Sequence, residues 1–248
     1  MASHRRLGVL GGMGPLASAQ FMCRLTELTP ARRDQDHIPT VLWSDPRVPD
    51  RTEARLHGGA DPMPWFARGL EALEAAGCGA VVIPCNTAHG WHATMAAASR
   101  LPILHIVDAA AADLRRRGVE GGPVGILGTA GTIAMGLYQE RLAARGYACL
   151  SPAPQDLEGA VMPAIAAVKA GAVRDAHDPL VAAAKALVRA GARAVVLACT
   201  EIPLAIRPED EAPVGVPLVD TIDALARAAL AWARPQAARR PAGLLEPS

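Results

Sequence analysis

The stretch AVVIPCNTAHGW, residues 80–91, runs four apolar residues into a proline, a lone cysteine and then small polar side chains. Its first part is short, apolar at successive positions and bounded by Gly79 and Pro84, the pattern of a strand buried on both faces of a parallel sheet. Cys85 therefore falls at the carboxyl end of a strand, the edge where open α/β sheets bind ligands. A second stretch, AVVLACTEIPL at 194–204, repeats the arrangement and places Cys199 equivalently. LGVLG at 7–11 and VGILG at 124–128 form another matching pair, offset by 117 where the cysteine-bearing strands are offset by 114. Offsets that agree this closely at both ends point to two equivalent halves.

Working outward, the apolar runs RLGVLG, PTVLWS, AVVIPC and PILHIV alternate with helically spaced stretches such as PLASAQFMCRLTEL and DPMPWFARGLEALEAAG. The pattern restarts with PVGILG, TIAMGLYQERLAARG, YACLSP, DPLVAAAKALVRAG and ARAVVLAC. Such alternation predicts βαβ units and hence two α/β domains, each with a mainly parallel sheet flanked by helices, meeting at a cleft. The first domain is expected over residues 1–105, with the strand and helix of 215–233 returning to it, and the second over 106–214. The tail 234–248, rich in Pro, Ala and Arg without periodicity, is expected to be disordered.

Composition narrows the function. Of 248 residues, 51% are hydrophobic but only 3% aromatic, so aliphatic side chains must fill the core, as suits helices laid on parallel strands. Twenty-five Lys and Arg against 24 Asp and Glu leave a net charge of +1, without the basic excess that nucleic-acid binding requires. No apolar stretch approaches the ~18 residues of a membrane span, and the opening residues lack a signal-peptide core, so a cytoplasmic location is expected. Five cysteines without CxxC spacing indicate free thiols rather than a disulfide framework or a zinc ribbon.

A thiol at the start of a helix meets unpaired N–H groups and the positive end of the helix dipole, both of which favour thiolate. Asn86, Thr87, Thr200 and Glu201 stand beside the two thiols as caps and donors. If the halves face each other across a cleft, Cys85 and Cys199 confront one another from opposite walls. One thiolate could then remove a proton from one face of a substrate carbon while the opposite thiol delivers a proton to the other face. Cys23, Cys78 and Cys149 read instead as small hydrophobic side chains.

GVLGGMGPLAS, VPDRT, PCNTAH, GTAGT and ACTEIPL, in that order over most of the chain, resemble the cofactor-independent aspartate/glutamate racemases, and the closest motifs are those of aspartate racemases. The resemblance implies two pseudo-symmetric domains with one catalytic cysteine from each, Cys85 and Cys199. It also implies no pyridoxal phosphate, no metal and a homodimer acting on a small amino acid or dicarboxylate. It places Arg51, in PDRT, and Lys169, in AIAAVKAGAV, on the substrate carboxylate, and a guanidinium can grip a carboxylate with two parallel hydrogen bonds.

GTAGT follows a strand and opens a helix, so its N–H groups and the hydroxyls of Thr129 and Thr132 form an anion site. Its twin GGMGP brings Met13 to the matching place in the first half. Neither loop has the GxGxxG or GxxxxGK[ST] pattern of nucleotide binding. Cys85, His89 and His92 form a C-x3-H-x2-H pattern that would suit a metal on one helix face, although no second cluster supports it; alternatively His89 tunes the Cys85 thiol. The rivals to racemisation are a maleate-type cis–trans isomerase with one nucleophilic cysteine, and a catalytically silent carboxylate-binding protein.

Overall fold

The computed structural model describes residues 5–234, so all but one residue of the tail expected at 234–248 lies outside the described residues. Among the described residues, eight parallel strands form two four-stranded sheets. The first has the order β2-β1-β3-β4, built from Leu7–Gly11 (β1), Thr40–Ser44 (β2), Ala80–Val82 (β3) and Ile103–Leu104 (β4). The second has the order β6-β5-β7-β8, from Gly122–Gly128 (β5), Tyr147–Leu150 (β6), Val195–Ala198 (β7) and Leu218–Asp220 (β8). The two orders are the same topology shifted by four strands, so the repeat seen in sequence is a repeat of fold.

That symmetry corrects one expectation. The strand within 215–233 does not return to the first half: Leu218 and Val219, both buried, pair with Val195 and Val196 of β7. β8 is the counterpart of β4, and a short apolar strand is satisfied by the neighbour that completes its own repeat. The helix that follows, Thr221–Ala233, does cross over and packs on the first-half helix Pro15–Leu28. Its counterpart, Ile106–Arg116, packs against Thr221–Ala233 and against Leu137–Ala143 of the second half. PILHIV is likewise split, since only Ile103 and Leu104 are strand while Ile106 opens the next helix behind a His105 cap.

These crossings give the halves a common core. Val9, Phe21, Ile106 and Leu114 belong to the same buried cluster as Ile126, Tyr138, Val196 and Leu225. Each fully buried aliphatic or aromatic side chain contributes about 1.5–3 kcal/mol, so this shared cluster holds the two sheets together far more strongly than surface ion pairs could. The outer faces have their own clusters, one around Leu10, Phe66 and Ile83 and the other around Ile165, Leu180 and Leu187.

Candidate active site

β1, β3, β5 and β7 all end at the seam between the halves, and the turns that follow them build one pocket. It is small, with ≈ 290 Å³ of non-atom space within its bounds when the open solvent at its mouth is included. Met13, Arg51, Cys85, Asn86, Thr87, Thr129, Lys169, Cys199, Thr200 and Glu201 all line it, so residues far apart in sequence converge as expected. Thr132 stands one layer behind. Asp50 and Thr52 also line the pocket and escaped the sequence reading. The signal for Asp50 was present in D-R-T-E at 50–53, an N-cap followed by a glutamate three residues on.

Arg51 occupies the first position of the helix Arg51–Leu56. Asp50 caps that helix, accepting from the N–H groups of Thr52 (2.8 Å) and Glu53 (3.1 Å). The Arg51 side chain is buried and donates to the carbonyls of Val48 (3.1 Å), Pro49 (2.8 Å) and Met13 (3.4 Å). Its Nε has no partner. A buried guanidinium held only by neutral carbonyls, with a donor to spare, is a cation lacking its anion.

The second cation comes from the equivalent part of the other half. Lys169 closes the helix Met162–Lys169, and its Nζ lies 3.5 Å from Asp50. Burial pulls this ammonium down, but Cys199, Glu201 and Asp50 outweigh that and hold it above its ordinary value. Asp50 is lowered in turn: burial acts upward, and the N–H of Glu53 together with the charge of Lys169 reverses it.

The residues after each cysteine stitch the halves together reciprocally. Asn86 donates from Nδ2 to Thr221 Oγ1 (3.1 Å) and accepts at Oδ1 from the Tyr138 hydroxyl (2.5 Å), both in the second half. Thr200 donates back to the carbonyl of Pro84 (3.2 Å), just before Cys85. One position further on, Thr87 Oγ1 lies 3.0 Å from Thr129 Oγ1 and 2.9 Å from Thr132 Oγ1, while Thr129 and Thr132 are 3.0 Å apart, a closed ring of hydroxyls across the seam. Its counterpart Glu201 accepts from the N–H of Gly14 (3.1 Å) in the loop after β1. Gly131 makes this approach possible, because a Cβ there would lie 2.8 Å from Thr52 Oγ1.

The two thiols differ in setting. Both are buried, but the turn Thr87–Trp91 after Cys85 runs on into the helix His92–Ala98, whereas only the four-residue helix Ile202–Ala205 follows Cys199. At Cys199 so short a helix gives little support to the dipole-driven thiolate expected from sequence. Cys199 donates its S–H to Glu201 Oε2 at 3.0 Å. Burial pushes the Cys199 thiol well up, and the Glu201 carboxylate adds to this, with Lys169 opposing.

His89 does not aim at the Cys85 sulfur. Its Nδ1 sits 3.1 Å from the Cys85 carbonyl and its Nε2 accepts from the Ile106 N–H at 3.1 Å, which fixes the neutral tautomer protonated on Nδ1. Burial first, then the neighbouring His105, His92 and Arg141, hold it well below the ordinary histidine range. With both nitrogens engaged by backbone, His89 braces the Cys85 turn and is not free to join Cys85 and His92 around a metal. Among the described residues no group of three His, Cys, Asp or Glu is arranged to hold one.

A pseudo-symmetric pair of parallel α/β halves, with one thiol from each facing a small pocket that holds a buried guanidinium, defines a recognisable class of protein. The chain belongs to the Asp/Glu/Hydantoin racemase family, whose model matches residues 10–229. It is 31% identical to the Picrophilus torridus aspartate racemase, with a TM-score of 0.80 over 92% of this chain and 94% of that one. An aspartate racemase homologue from Pyrococcus horikoshii OT3, 22% identical, has the same fold at a TM-score of 0.73 over 92% of this chain and 99% of its own. Among curated proteins, the broad specificity amino-acid racemase RacX of Bacillus subtilis (strain 168) is 27% identical over 150 residues, 56% of this chain. The match spans 61% of the length of that relative. No helix among the described residues is long and apolar enough to cross a membrane.

Proposed function

We propose that this protein racemises a small acidic amino acid, aspartate in the first instance, by two-base proton transfer between Cys85 and Cys199 without an organic cofactor or metal. The observation that carries this reading is the buried Arg51 guanidinium, with an unpartnered Nε, in the same small pocket as one thiol from each half. Arg51 takes the α- or side-chain carboxylate in a bidentate grip, and Lys169 offers the second cation that a dicarboxylate needs. One thiolate breaks the Cα–H bond and becomes a thiol. The opposite thiol gives its proton to the other face of the carbanion and becomes a thiolate, so the pair ends with its roles exchanged.

Because the α-proton is a very weak acid, the developing charge must be stabilised as it forms. The polar side chains beside the thiols are largely committed to inter-half bonds, so they serve by fixing the geometry of the walls, while the two cations and the remaining free donors meet the charge. A homodimer is the assembly that the resemblance implies. A panel of enantiopure aspartate, glutamate and alanine, with maleate, incubated with metal-free and pyridoxal-free protein tests the reading by chiral chromatography and proton NMR in D2O. Inversion of aspartate with deuterium at Cα is expected. Conversion of maleate to fumarate with no labelled amino acid would count against it.

A further inference from the structure

The repeat aligns Cys85-Asn86-Thr87 with Cys199-Thr200-Glu201, so the position two residues after each thiol is a neutral hydroxyl in one half and a carboxyl in the other. Glu201 is buried, holds Gly14 N–H with Oε1, and turns Oε2 to both the Cys199 sulfur (3.0 Å) and the Thr200 hydroxyl (3.4 Å). A carboxylate pointed into a pocket built for carboxylates would repel substrate, whereas one bound to an S–H has a clear task. We infer that Glu201 is a positioning residue for the thiol pair: its carboxylate holds the proton on Cys199, so that the free protein presents Cys199 as the acid and leaves Cys85 as the base.

The inference deepens the two-thiol reading above and rests on it for its catalytic meaning, but the state of the thiol can be measured without turnover. Other charged groups around the sulfur are accounted for. Lys169 opposes Glu201 from the helix Met162–Lys169 and is itself shared with Asp50, Arg51 faces the pocket from the first half, and the Tyr138 phenol, buried nearby, is neutral. Even at the dielectric of water, two unit charges at this 3.0 Å separation repel by enough to move a thiol by about one pH unit. Since enantiomers have equal free energy, kcat/KM must be the same in both directions whatever the bias. The bias therefore has to be sought in the sulfur itself.

The experiment is alkylation by iodoacetamide across a pH series, with each cysteine followed by peptide mass spectrometry. In the wild-type protein the Cys199 midpoint should lie above the ~8.5 of an ordinary cysteine. Glu201→Gln keeps the shape and the acceptor for Gly14, and should lower that midpoint by about one unit or more, roughly tenfold faster modification near neutral pH, while the Cys85 profile stays in place. A wild-type Cys199 midpoint at or below the ordinary value, or a Glu201→Gln midpoint unchanged in protein of native circular dichroism, would overturn the inference. Because burial also raises the wild-type midpoint, Glu201→Asp serves as the second variant should Glu201→Gln fail to fold. Its shorter side chain draws the carboxylate back from the sulfur and should lower the Cys199 midpoint in the same direction, and an unchanged midpoint there would overturn the inference. Failure of the racemase reading would show instead in the amino-acid panel, with the thiol chemistry unaltered.

Discussion

The turn after β3 and the turn after β7 are the same structure made from different side chains. Each ends a buried strand on a cysteine, each sends its next residue across the seam (Asn86 to Thr221, Thr200 to the Pro84 carbonyl), and each sends the residue after that to the loop following the other half's first strand. They part at that last position, where Thr87 joins a neutral ring of hydroxyls and Glu201 brings a charge to its own thiol. The cations differ in the same way: Arg51 is buried and carbonyl-bound, whereas Lys169 is part-exposed and beside Asp50. A duplicated fold supplies two opposed walls, and a few unmatched side chains give the walls different chemistry.

The largest effect expected from breaking this comparison is at the thiols. Cys85→Ser and Cys199→Ser should each reduce racemisation of either enantiomer by ~10²–10⁴-fold, because a hydroxyl is too weak an acid to serve as the base at neutral pH. Chiral chromatography of aspartate checks it. If one thiol proves dispensable, the symmetry is only structural.

A smaller contrast separates the cations. Arg51→Ala removes a buried charge-assisted contact of ~1.5–3 kcal/mol and should lower kcat/KM for aspartate about 10- to 150-fold, with Arg51→Lys restoring part of it. Lys169→Ala should cost less, on the order of threefold to tenfold, since its ammonium is exposed enough to be screened. Equal losses would mean that Lys169 bears on the substrate as directly as Arg51.

The smallest effect concerns the stitching. Tyr138→Phe deletes a fully buried hydroxyl and leaves Asn86 Oδ1 without its donor, at a cost of about 1–3 kcal/mol. Thermal unfolding should shift down by roughly 2–4 °C for each kcal/mol in a chain of this size. Thr200→Val, on the matching bond to Pro84, should cost less, because the carbonyl it leaves has a second lone pair and a net hydrogen bond is worth ~1 kcal/mol. Reversal of that order would show that the seam is held chiefly from the second half.

Much of this was legible in the sequence because it rests on local pattern. Buried strands ending in cysteine, the glycine-bearing turns and the repeat offset are properties of short contiguous stretches, and they pointed to the two cysteine turns and the loops of Met13 and Thr129, whereas Arg51 and Lys169 were expected only from the family resemblance. What was not legible depended on packing between distant segments. β8 could be assigned to a sheet only once its repeat partner β4 was seen, and Tyr138 reaches Asn86 from a helix whose sequence, LYQERLA, carries no sign of a site. The thiolate expected of Cys199 failed for a similar reason: helix length after the turn and the direction of Glu201 are set by the three-dimensional neighbours.

The central claim, one thiol for each face of the substrate carbon, is tested most directly by hydrogen exchange in the two serine variants. Each retains one thiol and can exchange the α-proton only on that thiol's face. Incubated in D2O with L- and D-aspartate separately and read by proton NMR and chiral chromatography, Cys85→Ser and Cys199→Ser should label opposite enantiomers at Cα without inverting either. Labelling of the same enantiomer by both variants, or a substrate-mass adduct on a single cysteine of the wild-type protein, would contradict the two-base account.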